Sequence, residues 1–217
     1  MELHKWFQLL TEQLKETTIL QWIAVSLGVA EVLLARINNV WLYPAGILGT
    51  LLSMILLLEA GLYAETLLHM YYVVMSFYGW VYWIRRKNEA PVKISYSTKN
   101  EWIITLVIVF VGWGLLYYSL KNFTDSTVPM MDAWISSTAW AGMWLLARRK
   151  IENWILLNVS NLFAIPLLFH KNLPLFALLT LFLFCVAIWG YFEWKKILEK
   201  DEDQIDSKHI LIDLNGN

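Results

Sequence analysis

Apolar residues run along this chain in blocks of about twenty, broken by short polar turns, and do not alternate with polar ones. Seven blocks stand out, at about 18–35, 40–58, 62–83, 101–120, 127–147, 151–169 and 173–194. A helix crosses a bilayer with about 20 apolar residues, whereas a barrel strand needs about ten that alternate. The pattern therefore predicts an all-α integral membrane protein with seven transmembrane helices. Composition agrees, with 58% hydrophobic residues and a mean hydropathy of +0.49.

Both ends differ from the blocks. Over 1–17, Leu3, Trp6, Phe7, Leu10 and Leu14 share one helical face, which suits either an interfacial helix or an extension of the first span. Acidic residues interleave there and no small-residue cleavage pattern follows, so a cleaved signal peptide is not expected. The segment 197–217 is polar and is expected to be a disordered cytoplasmic tail. Cys185 is the single cysteine, which excludes a disulfide framework.

Net charge is only −1, but the basic residues are unevenly placed. With seven crossings, 13 of the 17 Lys and Arg fall on one side, in the turns holding Arg36, Arg85 to Lys99 and Arg148 to Lys150 and in the tail. The positive-inside rule makes that side cytoplasmic, with the N-terminus outside and the C-terminus inside.

The chain also resembles itself. "LLARINNVW" (33–41) matches "LLARRKIENW" (145–154), and a shift of 111 residues lays "GWVYW" (79–83) over "GYFEW" (190–194) and Leu62 over Leu173. This predicts two parallel three-helix repeats, 18–83 and 127–194, joined by a linker helix at 101–120. In transporters of that build the site lies between the repeats near the midplane.

Polar residues inside apolar blocks must face protein or water. His69, Tyr72, Ser76 and Trp80 form one helical stripe of span three. Trp154, Asn158 and Asn161 form another in span six. Together they make a candidate substrate site for a flat polar ring, with aromatic faces that would also attract a cation. The repeat adds Tyr43 and Thr50 as second-tier candidates. The alternative is a membrane scaffold or sensor whose stripes serve only helix packing. Trp83, Trp194 and Tyr82 are expected in an interfacial belt. Glu31, Glu65 and Asp132 lie toward span ends, and a proton relay through Glu31 or Glu65 stays open. Pro44 and Pro166 are expected to kink their helices. No nucleotide loop, metal-ligand cluster or catalytic signature is present, so neither an enzyme nor a cofactor or metal site is expected. The basic clusters are short and flank spans, which argues against nucleic acid as a partner.

"GLYAETLLHMYYVVMSFYGWVYWIRRK" and "ARRKIENWILLNVSNLFAIPLLFHKNLPLFALL" resemble segments of the bacterial PnuC family of nicotinamide riboside transporters. The resemblance covers nearly all of 18–196. It implies a SWEET-like fold of two repeats, usually a homotrimer in the bacterial inner membrane. Facilitated diffusion of the vitamin precursor would be followed by trapping through a cytoplasmic kinase. The family's span-three motif, glutamine and then an aromatic three residues on, falls on His69 and Tyr72. Its span-six motif, tryptophan and then Asn or Asp four residues on, falls either on Trp154 and Asn158 or on Leu157 and Asn161. Histidine for glutamine, and leucine for tryptophan in the second placement, leave thiamine or another ring-bearing vitamin as the alternative substrate.

Overall fold

The computed structural model describes residues 2–59, 63–85, 93–124 and 126–215, with side chains except at 2–5, 63–65, 67, 85 and 202–215. The expectations for Leu62, for the Glu65 side chain and for the Arg85, Arg86 and Lys87 run fall outside the described residues. The described elements are α1 (Glu2–Glu16), α2 (Ile19–Arg36), α3 (Leu42–Glu59), α4 (Tyr63–Arg85), α5 (Lys99–Phe123), α6 (Pro129–Ala147), α7 (Asn153–His170) and α8 (Pro174–Asn215). Five helices are long and apolar enough to cross a membrane: α2, α3, α5, α7 and the Pro174–Asp201 part of α8. With 23 and 19 residues, α4 and α6 have comparable lengths. Tyrosine, tryptophan, serine and glycine dilute their apolar character.

Helix α1 is separate from the first span. The chain breaks at Thr17, and Thr18 opens α2 with a capping box in which Thr18 and Gln21 satisfy each other's backbone N–H. Gln13 ties α1 to the turn between α7 and α8, its Nε2 donating to the Asn172 carbonyl at 2.8 Å and its Oε1 accepting from the Leu175 N–H at 3.2 Å. At the other end the expected disordered tail is instead helix, since α8 continues to Asn215. The early part of this extension stays attached because Leu198 is buried in the core and Lys195 and Glu199 pair one turn apart at 3.8 Å.

The packing of α2 to α4 is repeated by α6 to α8. Asn38 and Arg149, 111 residues apart, both adopt φ of 55°. Each turn closes with the same pair of bonds: Asn38 N–H to Ala35 O and Asn39 N–H to Leu34 O, then Arg149 N–H to Leu146 O and Lys150 N–H to Leu145 O, all 2.9 Å. These bonds satisfy helix-end carbonyls that would otherwise be orphaned. The Tyr43 ring meets Trp83 edge-on at 5.1 Å, and Trp154 meets Trp194 in the same way at 5.6 Å. Both pairs lie against glycine, Tyr43 on Gly79 and Trp154 on Gly190.

The two tryptophans cross between these halves. Trp83 Nε1 donates to Ala147 O at 3.1 Å, and Trp194 Nε1 donates to Ala35 O at 2.9 Å. Trp194 is fully buried and Trp83 nearly so, so they are core residues and not an interfacial belt. Each indole needed a partner for its N–H, and a turn carbonyl of the opposite half supplies it. Pro44 also departs from expectation, because it occupies the first turn of α3, where a missing N–H leaves no gap. Pro166 lies inside α7.

One contact is repeated with its partners exchanged. Glu31 of α2 fills a notch over Gly46 of α3, where any Cβ would collide with the carboxylate. At the matching positions Leu157 of α7 fills the notch over Gly142 of α6, where a Cβ would lie 2.8 Å from it.

The segment before α5 is fastened to the α6–α7 turn. Ser95 N–H donates to Arg149 O and Ile151 N–H to Ser95 O, both at 3.2 Å. Ser97 gives both its N–H and its hydroxyl to Glu152 at 2.8 Å. Glu101 caps α5 through Thr98 and binds Arg148 at 3.1 Å and Lys150 at 3.0 Å. At the opposite end Asp132 holds Lys171 at 2.7 Å.

Two outcomes follow for purified protein. Replacing Gly79 or Gly190 by Ala drives a Cβ to 2.5 Å or 2.7 Å from the facing ring, and each is expected to cost about 1–3 kcal/mol by thermal unfolding in detergent. Glu101→Gln leaves two half-buried cations without their carboxylate, with an expected loss of about 1–3 kcal/mol in the same assay. Unchanged melting would refute the respective contact.

Candidate functional site

A cavity of about 250 Å³ lies inside the bundle, bounded by α2, α3, α4, α6 and α7. This is just under the range usual for small-molecule sites, about 300–1,000 Å³. Its polar wall consists of Glu31, Thr50, Ser53, His69 and Tyr72, and Leu157 and Met143 form part of its apolar wall. Gly28 and Gly49 keep the α2 and α3 sides low, which makes room beside Glu31. Larger hollows of about 450 and 400 Å³ exist. They are grooves between α1, α2 and α8 and between α7 and α8, lined by exposed groups such as Phe176, Leu178, Ile155 and Phe192. The smaller cavity is the better site because five helices converge on it with polar groups.

His69 and Tyr72 stand one turn apart on α4, their rings edge-to-face at 5.8 Å. Tyr71, on the neighbouring face, stacks on Trp140 at 4.6 Å and donates its hydroxyl to the Trp140 carbonyl at 3.0 Å. That anchor fixes the rotation of α4, and with it the direction of the His69 and Tyr72 side chains.

The structure brings together only part of the sequence-derived set. His69, Tyr72 and Thr50 line the cavity. Ser76 is buried further along α4, and its hydroxyl has no hydrogen-bond partner among the described residues. Trp80 packs on the main core and stacks near Phe77. Tyr43 is buried against Trp83. Trp154 and Asn158 line the separate α7–α8 groove. Asn161 is half-buried on α7 and outside the cavity lining. Leu157, one residue before Asn158, is the α7 side chain in the cavity wall. Of the two placements of the span-six motif, the one on Leu157 therefore faces the cavity and the one on Trp154 does not.

Glu31 was placed by sequence near a span end, yet it sits in the cavity wall. The signal that could have found it is the small residue facing it. Gly46 sits where the matching position of the second half carries Leu157, so the first half has room for a long side chain from α2.

Comparison with known proteins fits this arrangement. A family model described as "Nicotinamide mononucleotide transporter" matches residues 18–196. The nicotinamide riboside transporter PnuC of Escherichia coli (strain K12) is 22% identical over 204 residues, covering 81% of this chain and 85% of that one. Its counterpart in Neisseria mucosa is 27% identical over 159 residues, covering 66% and 59%. A crystal structure of the vitamin B3 transporter PnuC superposes with a TM-score of 0.68 at 22% identity, covering 91% of this chain and 90% of that one. That likeness shows a shared fold. The chain belongs to the nicotinamide mononucleotide transporter family, a family of multi-pass membrane transporters.

Proposed function

We infer that this protein carries nicotinamide riboside across the bacterial inner membrane by facilitated diffusion. The observation that carries the reading is the cavity among five helices, with His69, Tyr72 and Thr50 in its wall, in a chain of this family. Tyr72 offers a ring face and a hydroxyl, and His69 and Thr50 offer hydrogen bonds to an amide and to ribose hydroxyls.

The lining also separates the riboside from the mononucleotide. No Lys or Arg is among the residues that line the cavity, and Glu31 is. A phosphate dianion would enter with no cation to meet it and with a carboxylate close by. The riboside brings no such charge. Thiamine is the second reading, favoured by Leu157 and His69 in the wall where the resemblance implies tryptophan and glutamine.

The proposed architecture is seven crossings, arranged as two parallel three-helix units (α2 to α4 and α6 to α8) with α5 as linker. The turns and ring pairs that recur 111 residues apart support it. In this arrangement the N-terminus is outside, the end bearing Arg36, Arg148 and Lys150 is cytoplasmic, and one unit rocks against the other around the cavity. A homotrimer in the lipid bilayer, and a kinase that traps the imported riboside, complete the proposal.

The test is uptake into proteoliposomes. Labelled nicotinamide riboside should enter down its gradient, unaffected by collapse of a proton gradient, and excess unlabelled riboside should compete where the mononucleotide does not. Tyr72→Ala should reduce uptake by about tenfold, while Asn158→Leu, outside the cavity, should leave it within about twofold. Competition by thiamine alone would move the substrate to the second reading. No uptake of either vitamin would return weight to a scaffold.

A further inference from the structure

Glu31 is the one formally charged carboxylate among the residues that line the cavity. Among the described residues, no Lys or Arg forms an ion pair with it. Shape holds this side chain in place, since it lies in the notch over Gly46 with Gly49 one turn further along α3. Packing alone does not call for a carboxylate there. At the matching notch of the other half, Leu157 fills the space over Gly142 with no polar atom. A carboxylate withdrawn from water within a bundle is expensive unless a positive group compensates it. The cavity leaves that place to whatever it binds, and His69 and Tyr72 in the same wall suit an aromatic ring.

We propose that Glu31 is the counter-charge for a cationic aromatic ring, and so the residue that makes this cavity prefer a positively charged ring over a neutral ring of the same shape. The identity of that ring as the pyridinium of nicotinamide riboside rests on the functional reading above; its charge does not. A neighbouring carboxylate in a partly screened site favours the cation by about tenfold or more in affinity.

Calorimetry on the detergent-purified protein tests this with three ligands: nicotinamide riboside, its uncharged 1,4-dihydro form, and thiamine as a second aromatic cation. Wild type should bind the riboside about tenfold or more tighter than the dihydro form. Glu31→Gln, which keeps the shape over Gly46, should bring the two within about threefold by weakening the riboside alone. Retained binding of the neutral ligand then shows that the variant is folded. Glu31→Asp should keep the preference for the cation. An unchanged preference in Glu31→Gln, or equal loss of both ligands, would overturn the role. If wild type takes thiamine and not the riboside, and Glu31→Gln weakens thiamine by the same factor, the counter-charge stands and the riboside reading falls. If wild type binds none of the three, both fall.

Discussion

Two indole N–H groups hold the halves of this protein in register. Trp83 reaches the carbonyl of Ala147 and Trp194 reaches that of Ala35, so each half closes a turn of the other. A helix end buried in a membrane bundle leaves carbonyls that neither water nor lipid can satisfy. Meeting that need with a large side chain from the opposite half couples local turn geometry to global assembly. The rest follows from where these rings must lie. Gly79 and Gly190 are small because Tyr43 and Trp154 pass over them to meet the two tryptophans. With α3 and α7 set close to α4 and α8, the remaining space falls among α2, α3, α4, α6 and α7, where the cavity lies.

Electrostatics distinguish the two halves more than packing does. Arg36 lies over the Trp189 ring at 4.0 Å and pairs with Glu193 at 3.2 Å. Its counterpart Arg148 lies over Tyr82 at 5.4 Å, meets the Tyr78 hydroxyl at 3.3 Å, and turns its charge to Glu101. Tyr78 and Tyr82 occupy in one half the places of Trp189 and Glu193 in the other. The arginine without an acid on its neighbouring helix is thus free to recruit one from α5. That exchange fastens α5 and the segment before it to one half, with Glu152 binding the backbone and hydroxyl of Ser97.

Much of this was legible in the sequence. The "LLAR" and "GW" markers that revealed the 111-residue correspondence are the turn-forming and close-packing residues themselves, and such sites restrict residue type strongly. The cavity was harder to read. Helical spacing showed that Trp154, Asn158 and Asn161 lie near one another on α7, but not how α7 is rotated against its neighbours, and the first two face the α7–α8 groove. His69 and Tyr72 were placed correctly relative to each other, while Ser76 and Trp80 lie further along α4 in the core region. Trp83 and Trp194 read as belt residues because a terminal tryptophan looks the same whether its N–H meets a headgroup or a buried carbonyl. The polar tail read as disorder because its composition does not show that α8 enters it already helical, with Leu198 anchored.

The exchanged contact, Glu31 over Gly46 and Leu157 over Gly142, has a consequence for how a ligand sits. Two matched notches of the same kind would give a near-symmetric chamber, in which an elongated molecule could lie in either of two reversed poses. With charge in one notch and hydrocarbon in the other, the chamber has a head and a tail. A ligand with a cationic ring at one end and a sugar at the other therefore has a single preferred direction of entry, set by one side chain that a duplicated frame did not duplicate.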